Sequence, residues 1–246
     1  MLSFSQIQTF FKTMSGEYFL ELFFIGLWNT VKIAVFGLVI GIFIGTLIAI
    51  VKVAPKYKRS MRALDKVCTV YVAIFRGTPM VVQLLVAYYL LLPLLGVKGV
   101  EQVSVGIAVF GMNSGAYVSE IMRGGLNSVD VGQMEAGRAL GFSYPTTMLK
   151  IVIPQAIKNI LPTLGNEFIT LIKETSVLSF ITVKDLYTVI KEIALPGYTY
   201  EAGYLFMAVI YIAMILLITA LIKLMETFLN KSDRKYGESK KSKKSS

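Results

Sequence analysis

Five stretches of this chain are too long and too apolar for the surface or core of a water-soluble domain. They run from about Leu20 to Val51, Val67 to Leu95, Val100 to Met122, Leu161 to Val183 and Ala202 to Leu229. Each exceeds the roughly 20 residues a helix needs to cross the hydrocarbon core of a bilayer. A backbone inside lipid has no water to bond to, and runs of this length satisfy it as helix. Composition agrees: 55% of the residues are hydrophobic and 16% charged, with a mean hydropathy of +0.65. The expectation is an all-α membrane protein with five transmembrane helices. Residues 1–19 form an N-terminal segment, 20–230 the membrane domain and 231–246 a basic tail, read here as disordered.

A net charge of +10 raises the question of nucleic acid, and its distribution answers it. Lys52, Lys56, Lys58, Arg59, Arg62 and Lys66 crowd the first connection, Arg123, Arg138, Lys150 and Lys158 the third, and seven further lysines and arginines the tail. In the intervening connections, Lys12 is balanced by Glu17 and Glu21, and Lys98 by Glu101. Basic and near-neutral connections alternate along the chain. Basic connections stay in the cytoplasm, which places the N-terminus outside and the third connection and tail inside. The cations mark topology and contact with anionic lipid, not DNA or RNA. Cys68 is the single cysteine and there is no histidine, so neither an internal disulfide nor a His/Cys metal site is expected. The N-terminus lacks a cationic leader and a cleavage site. Phe4, Ile7, Phe11 and Met14 fall at helical spacing and suggest a short interfacial helix.

Within the spans, the polar and small residues carry the information. Gly37, Gly41 and Gly45, continued by Ala49, form a small-residue stripe that lets another helix approach closely. Arg76-Gly77-Thr78-Pro79 predicts a break in the second span, its freed backbone groups satisfied within protein or a wet cavity. In the connection after the third span, Asp130 and Gln133 mark a helix start and Gly141 its end. Ser143 and Pro145 then open a second short helix that Pro154 limits. In the fourth span Glu167, Thr170 and Glu174 lie within about 60° of one another, with Lys173 about 120° away. Two carboxylates on one face of a membrane helix call for water, cations or a ligand.

The segment Gln133–Pro162 resembles the E-A-A-x3-G-x9-I-x-L-P loop of ATP-binding-cassette importer permeases, through Glu135-Ala136-Gly137, Gly141 and Ile151-Val152-Ile153-Pro154. Gly137 replaces the second alanine and Ile153 the leucine. With F-R-G-T-P-M-V-V-Q-L at Phe75–Leu84, G-A-Y-V-S-E-I-M-R-G-G at Gly115–Gly125 and N-E-F-I-T-L-I-K-E-T-S at Asn166–Ser176, the chain is similar to the polar amino acid (histidine/glutamine/arginine) subfamily of those permeases over roughly Gly26–Ile190. The resemblance implies a five-helix subunit of a bacterial cytoplasmic membrane, paired with a second permease subunit, the same chain or a similar one. It also implies an ABC ATPase subunit beneath and an extracytoplasmic amino-acid-binding protein above. The chain carries no phosphate-binding loop, so it needs no cofactor of its own, and ATP and Mg belong to the partner ATPase. It is expected to be a transport subunit and not an enzyme.

The residues then sort into expected roles. Glu135, Ala136, Gly137, Arg138 and Gly141, within a coupling loop at about 128–160, face the ATPase. Glu135 and Arg138, one helical turn apart, have the alternative of pairing with each other. Arg76 and Thr78 receive a substrate carboxylate, for which a guanidinium offers two parallel bonds, or serve a structural pairing. Glu167, Thr170 and Glu174 receive the ammonium and a polar or cationic side chain, or the two glutamates enter a salt bridge with Lys173 of a partner subunit. Tyr117, Glu120 and Lys173 are gate or packing residues. Basic or neutral polar amino acids fit the acidic lining better than acidic ones. The alternative is an ion-coupled amino acid carrier or channel that uses Glu167, Lys173 and Glu174 as a relay without an ATPase.

Overall fold

The computed structural model describes residues 8, 9, 12, 14, 17–195 and 199–242, with side chains followed to residue 228. In chain order its helices are α1 (Glu17–Val53), α2 (Arg59–Gly77), α3 (Met80–Leu94), α4 (Gln102–Asn127), α5 (Val131–Ala139), α6 (Tyr144–Thr147), α7 (Ile153–Glu174), α8 (Leu186–Ala194) and α9 (Tyr200–Ser242). No strand lies among the described residues. Of the expected N-terminal helix, Phe4, Ile7 and Phe11 fall outside them.

The glycine stripe of α1 is where the bundle closes. A Cβ on Gly37 would sit 3.0 Å from the Phe110 Cβ, one on Gly41 2.6 Å from the Ser114 Oγ, and one on Gly45 2.7 Å from Val118. The seam is reciprocal, because Gly111 and Gly115 of α4 leave room for Ile40 and Ile44 of α1 at 2.5 and 2.7 Å. Each helix thus sets its bulky residues against the other's bare backbone, the small-residue packing that holds helices together where lipid supplies no hydrophobic drive. Around this seam Ile33, Val109, Phe110, Leu171, Ile172 and Leu178 form the largest buried cluster.

Among the described residues two helices, Tyr18–Val53 and Tyr200–Phe228, are long and apolar enough to cross a membrane on their own, and a third crossing is made if α2 and α3, bent by 108°, count as one. The five expected spans are present as helical segments, but α4 and α7 fall short on apolarity. On α4 the polar side chains face protein, Ser114 and Ser119 being fully buried and Asn113 nearly so.

Three expectations require correction. Pro154 does not end the second loop helix. After α6 a π turn, Met148–Val152, runs straight into α7, with the Ile153 N–H reaching back to the Met148 carbonyl. Pro154 lies immediately after the π turn, inside a continuous helix, and has no N–H to donate there. The fourth span is not one helix to Val183, since α7 ends at Glu174 and a 3-10 stretch, Thr175–Ile181, closes on Thr182 at φ 62°. Asp185 follows, accepting from the Thr188 and Tyr187 N–H groups to start α8. Finally, the basic tail is helical over its described residues, because α9 continues to Ser242. Its lysines, arginine and glutamate are good helix formers.

Candidate functional site

The break between α2 and α3 organises one side of the site. A chain that turns by 108° inside a bundle leaves carbonyls without helical partners. Gln83 supplies them: its Nε2 donates to the carbonyls of Phe75 at 2.9 Å and Thr78 at 3.0 Å and to the Thr78 Oγ1 at 2.9 Å. Asn113, buried on α4, donates to the Gln83 Oε1 at 2.9 Å and to the Phe75 carbonyl at 3.3 Å. Thr78 itself donates to the Ile74 carbonyl at 2.8 Å. Its hydroxyl is therefore engaged in closing the break.

Arg76, in the last turn of α2, points elsewhere. Its guanidinium lies over the Tyr117 ring, 5.3 Å from the centroid, a favourable placement of a cation on an aromatic face. Arg76, Tyr117 and Glu120 line one cavity of about 490 Å³ with Ser128, Asn159 and Thr163. Glu120 accepts from Arg123 at 2.6 Å, and Asn159 donates to the Ser128 Oγ at 2.8 Å. The cavity thus holds cationic and anionic groups together, with neutral donors and acceptors between them.

Glu167, Thr170 and Glu174 do not line that cavity, but they continue from it. Asn159, Thr163, Glu167, Thr170 and Glu174 recur at spacings of four, four, three and four, which puts them within about 80° on one face of α7. The adjoining face, through Ile160, Leu164 and Leu171, is buried. Glu167 is half-buried and accepts from the Ser114 Oγ at 2.9 Å; Thr170 donates to the Asn166 carbonyl at 3.1 Å. Lys173 is exposed and, among the described residues, joins neither carboxylate in an ion pair.

The loop residues form a second, separate surface. Asp130 caps α5 by accepting from the Gly132 N–H at 2.7 Å. At the other end the Phe142 N–H donates to the Gly137 carbonyl and the Gly141 N–H to the Arg138 carbonyl, at 3.1 and 3.0 Å, with Gly141 at φ 85°. That pair of bonds around a left-handed residue is a Schellman stop. Gly137 is buried, and a Cβ there would lie 2.4 Å from the Thr147 Cγ2. Gln155 of α7 donates to the Gln133 Oε1 at 3.3 Å. Glu135, Ala136 and Arg138 are exposed, and no ion pair joins Glu135 to Arg138 among the described residues. So α5 is a short rigid helix, tied to the foot of α7, with an outward face of free charges.

Sequence reading missed the supporting set: Gln83 and Asn113 at the break, Ser114 against Glu167, and Ser128, Asn159 and Thr163 around the cavity. Their signal was a polar side chain on an otherwise apolar helix. Among the described residues, no group of three or more His, Cys, Asp or Glu side chains gathers to hold a metal.

Comparison with known proteins gives the geometry its context. Residues 37–232 match the family described as binding-protein-dependent transport system inner membrane component. A chain of Rickettsia conorii named for a glutamine transport system permease is 37% identical over 212 residues, covering 85% of this chain and 94% of its own length. The arginine transport system permease protein ArtQ of Bacillus subtilis is 35% identical over 208 residues, with coverage of 85% and 92%. Among solved structures, one described as an amino acid ABC transporter with histidines superposes with a TM-score of 0.78 at 38% identity, covering 85% of this chain and 95% of that one.

Proposed function

Because the chain belongs to the family of binding-protein-dependent transport system inner membrane components, we propose that it carries amino acids across the membrane by alternating access, driven by a separate ATPase. The chain is the permease component of an amino acid ATP-binding-cassette importer. In our reading an ABC ATPase, holding ATP and Mg, docks on the exposed face of α5 through Glu135, Ala136 and Arg138. A second permease subunit completes the membrane unit, and an extracytoplasmic amino-acid-binding protein delivers substrate. The alternating basic connections support an N-terminus outside and the loop and tail in the cytoplasm.

The observation that carries the substrate path is the polar face of α7 leading into the cavity of Arg76, Tyr117 and Glu120. Glu167 and Glu174 offer carboxylates to an ammonium or a cationic side chain. Arg76 offers a carboxylate two parallel hydrogen bonds. Thr170 adds a hydroxyl on the same face. Thr78 acts on the path by holding the break. Tyr117 and Glu120, on the part of α4 that lines the cavity, act as its gate. Glutamine and arginine permeases among the relatives agree with a basic or neutral polar substrate. The ion-coupled carrier is not favoured, since such a carrier has no use for a rigid docking helix.

The test is uptake of an amino acid panel by vesicles containing the chain, its ATPase and its binding protein, with and without internal ATP. Uptake of basic or neutral polar amino acids requiring both ATP and binding protein is expected. Uptake that follows a proton or sodium gradient without ATP would overturn the proposal.

A further inference from the structure

Behind the loop lies a cleft unlike the polar cavity. It encloses about 500 Å³ and is walled by Val53, Ala54 and Pro55 at the end of α1, Leu126 of α4, Met148 in the π turn and Ile157 just beyond it. Both of its walls run into basic chain. Pro55 leads into Lys56, Lys58 and Arg59, and Met148 is followed by Lys150. Over residues 52–66 six basic side chains stand against Asp65 alone. Asp65 is taken by Lys56 at 2.7 Å, and Lys58, Arg59 and Lys150 have no ion pair among the described residues. These three are also exposed.

An apolar slot beside unpaired cations is complementary to a molecule with a hydrocarbon chain and an anionic head. We propose that this cleft binds one acyl chain of an anionic phospholipid, its phosphate held by Lys58, Arg59 and Lys150. Hydrocarbon in the slot removes apolar surface from water, and each basic residue near the surface adds attraction for an anionic headgroup. The lipid also has a mechanical consequence, which rests on the coupling role proposed for α5. The wall it presses is the π turn joining loop to α7, so an occupied cleft stiffens the joint through which ATPase closure reaches the substrate path.

The binding test needs no transport. The purified full chain in mild detergent is titrated with phosphatidylglycerol or with phosphatidylcholine of the same chains, and bound lipid is counted by native mass spectrometry. One phosphatidylglycerol retained in preference to phosphatidylcholine is expected. Lys58→Gln with Arg59→Gln should weaken retention about thirtyfold, the scale of two surface cations acting on an anionic head. Ala54→Trp, which fills the slot, should abolish it, and Ile157→Trp, at a position 45% exposed, repeats that test without burdening the core. Equal retention of the two lipids, or undiminished retention by the filled variants, would overturn the site. Competition by glycerol phosphate, a headgroup without chains, would make it a free phosphate site and overturn the lipid. In nanodiscs holding the whole importer, phosphatidylglycerol should raise uptake per ATP hydrolysed, and Ala54→Trp should remove that gain. Binding without this gain would overturn the coupling consequence and leave the site standing.

Discussion

At Gly137 the chain departs from the loop pattern it otherwise follows, and Thr147 is the physical reason. The Thr147 methyl occupies the space a Cβ on residue 137 would take, while its hydroxyl donates to the Ser143 carbonyl at 3.1 Å. Thr147 is fully buried, so it has nowhere to move. Gly137→Ala should therefore destabilise the chain by about 1–3 kcal/mol, the usual cost of overpacking, although it restores the common alanine. Adding Thr147→Ser removes the clashing methyl and keeps a hydroxyl, and should recover most of the loss. Thermal unfolding midpoints of the three variants in one detergent decide it; a Gly137→Ala midpoint equal to that of the parent chain would show that the loop yields at this point. Sequence alone could register the departure at residue 137 but not its cause, because the compensating residue lies ten positions away across a turn.

The elements were legible in proportion to how local their causes are. The cap at Asp130, the stop at Gly141 and the break at Arg76–Pro79 each depend on a few neighbouring residues, and each is found where the sequence put it. The continuity of α6 into α7 was not legible, because a π turn has no composition of its own and merely shifts which carbonyl an N–H meets. The latch on the break was also missed, since it needs Asn113 from another helix. Two predictions belong at this scale. Gln83→Leu keeps the volume but strips both carbonyls of their Gln83 donor and Asn113 of its acceptor, a loss of about 0.5–1.5 kcal/mol for each such hydrogen bond. Backbone amides near residues 78–83 should then exchange hydrogen faster while those of α1 and α4 do not; uniform protection would remove Gln83 from the latch. Gly141→Pro forces φ to about −65° where the chain holds 85°, and it removes the N–H that bonds Arg138. ATP hydrolysis should continue while uptake falls at least tenfold. Glu135→Lys should do the same through charge alone, because that residue is exposed and its replacement leaves α5 intact. Unchanged uptake-to-hydrolysis ratios in both variants would separate the loop from coupling.

Across the whole molecule, the seam that builds the scaffold also sets the site. Gly41 and Gly37 are both glycines of α1 pressed against α4, with virtual Cβ contacts of 2.6 and 3.0 Å. They differ in what lies across the seam. Gly37 meets Phe110, a core ring with no link to the polar path, whereas Gly41 meets Ser114, whose hydroxyl donates to Glu167 at 2.9 Å. A methyl at either position must push α1 from α4, and overpacking of this kind costs about 1–3 kcal/mol. Only at Gly41 does the push displace the donor that holds a carboxylate of α7. Gly37→Ala should lower the thermal midpoint and leave the substrate concentration for half-maximal uptake unchanged. Gly41→Ala should lower the midpoint by a similar amount and also raise that concentration severalfold, with Ser114→Ala reproducing the second effect without the first. If Gly37→Ala and Gly41→Ala weaken uptake alike, the carboxylate of Glu167 is not read through Ser114, and the glycine seam is scaffold alone. If they separate as expected, packing and recognition share one surface, and substitutions along the seam can tune substrate affinity without touching the substrate path itself.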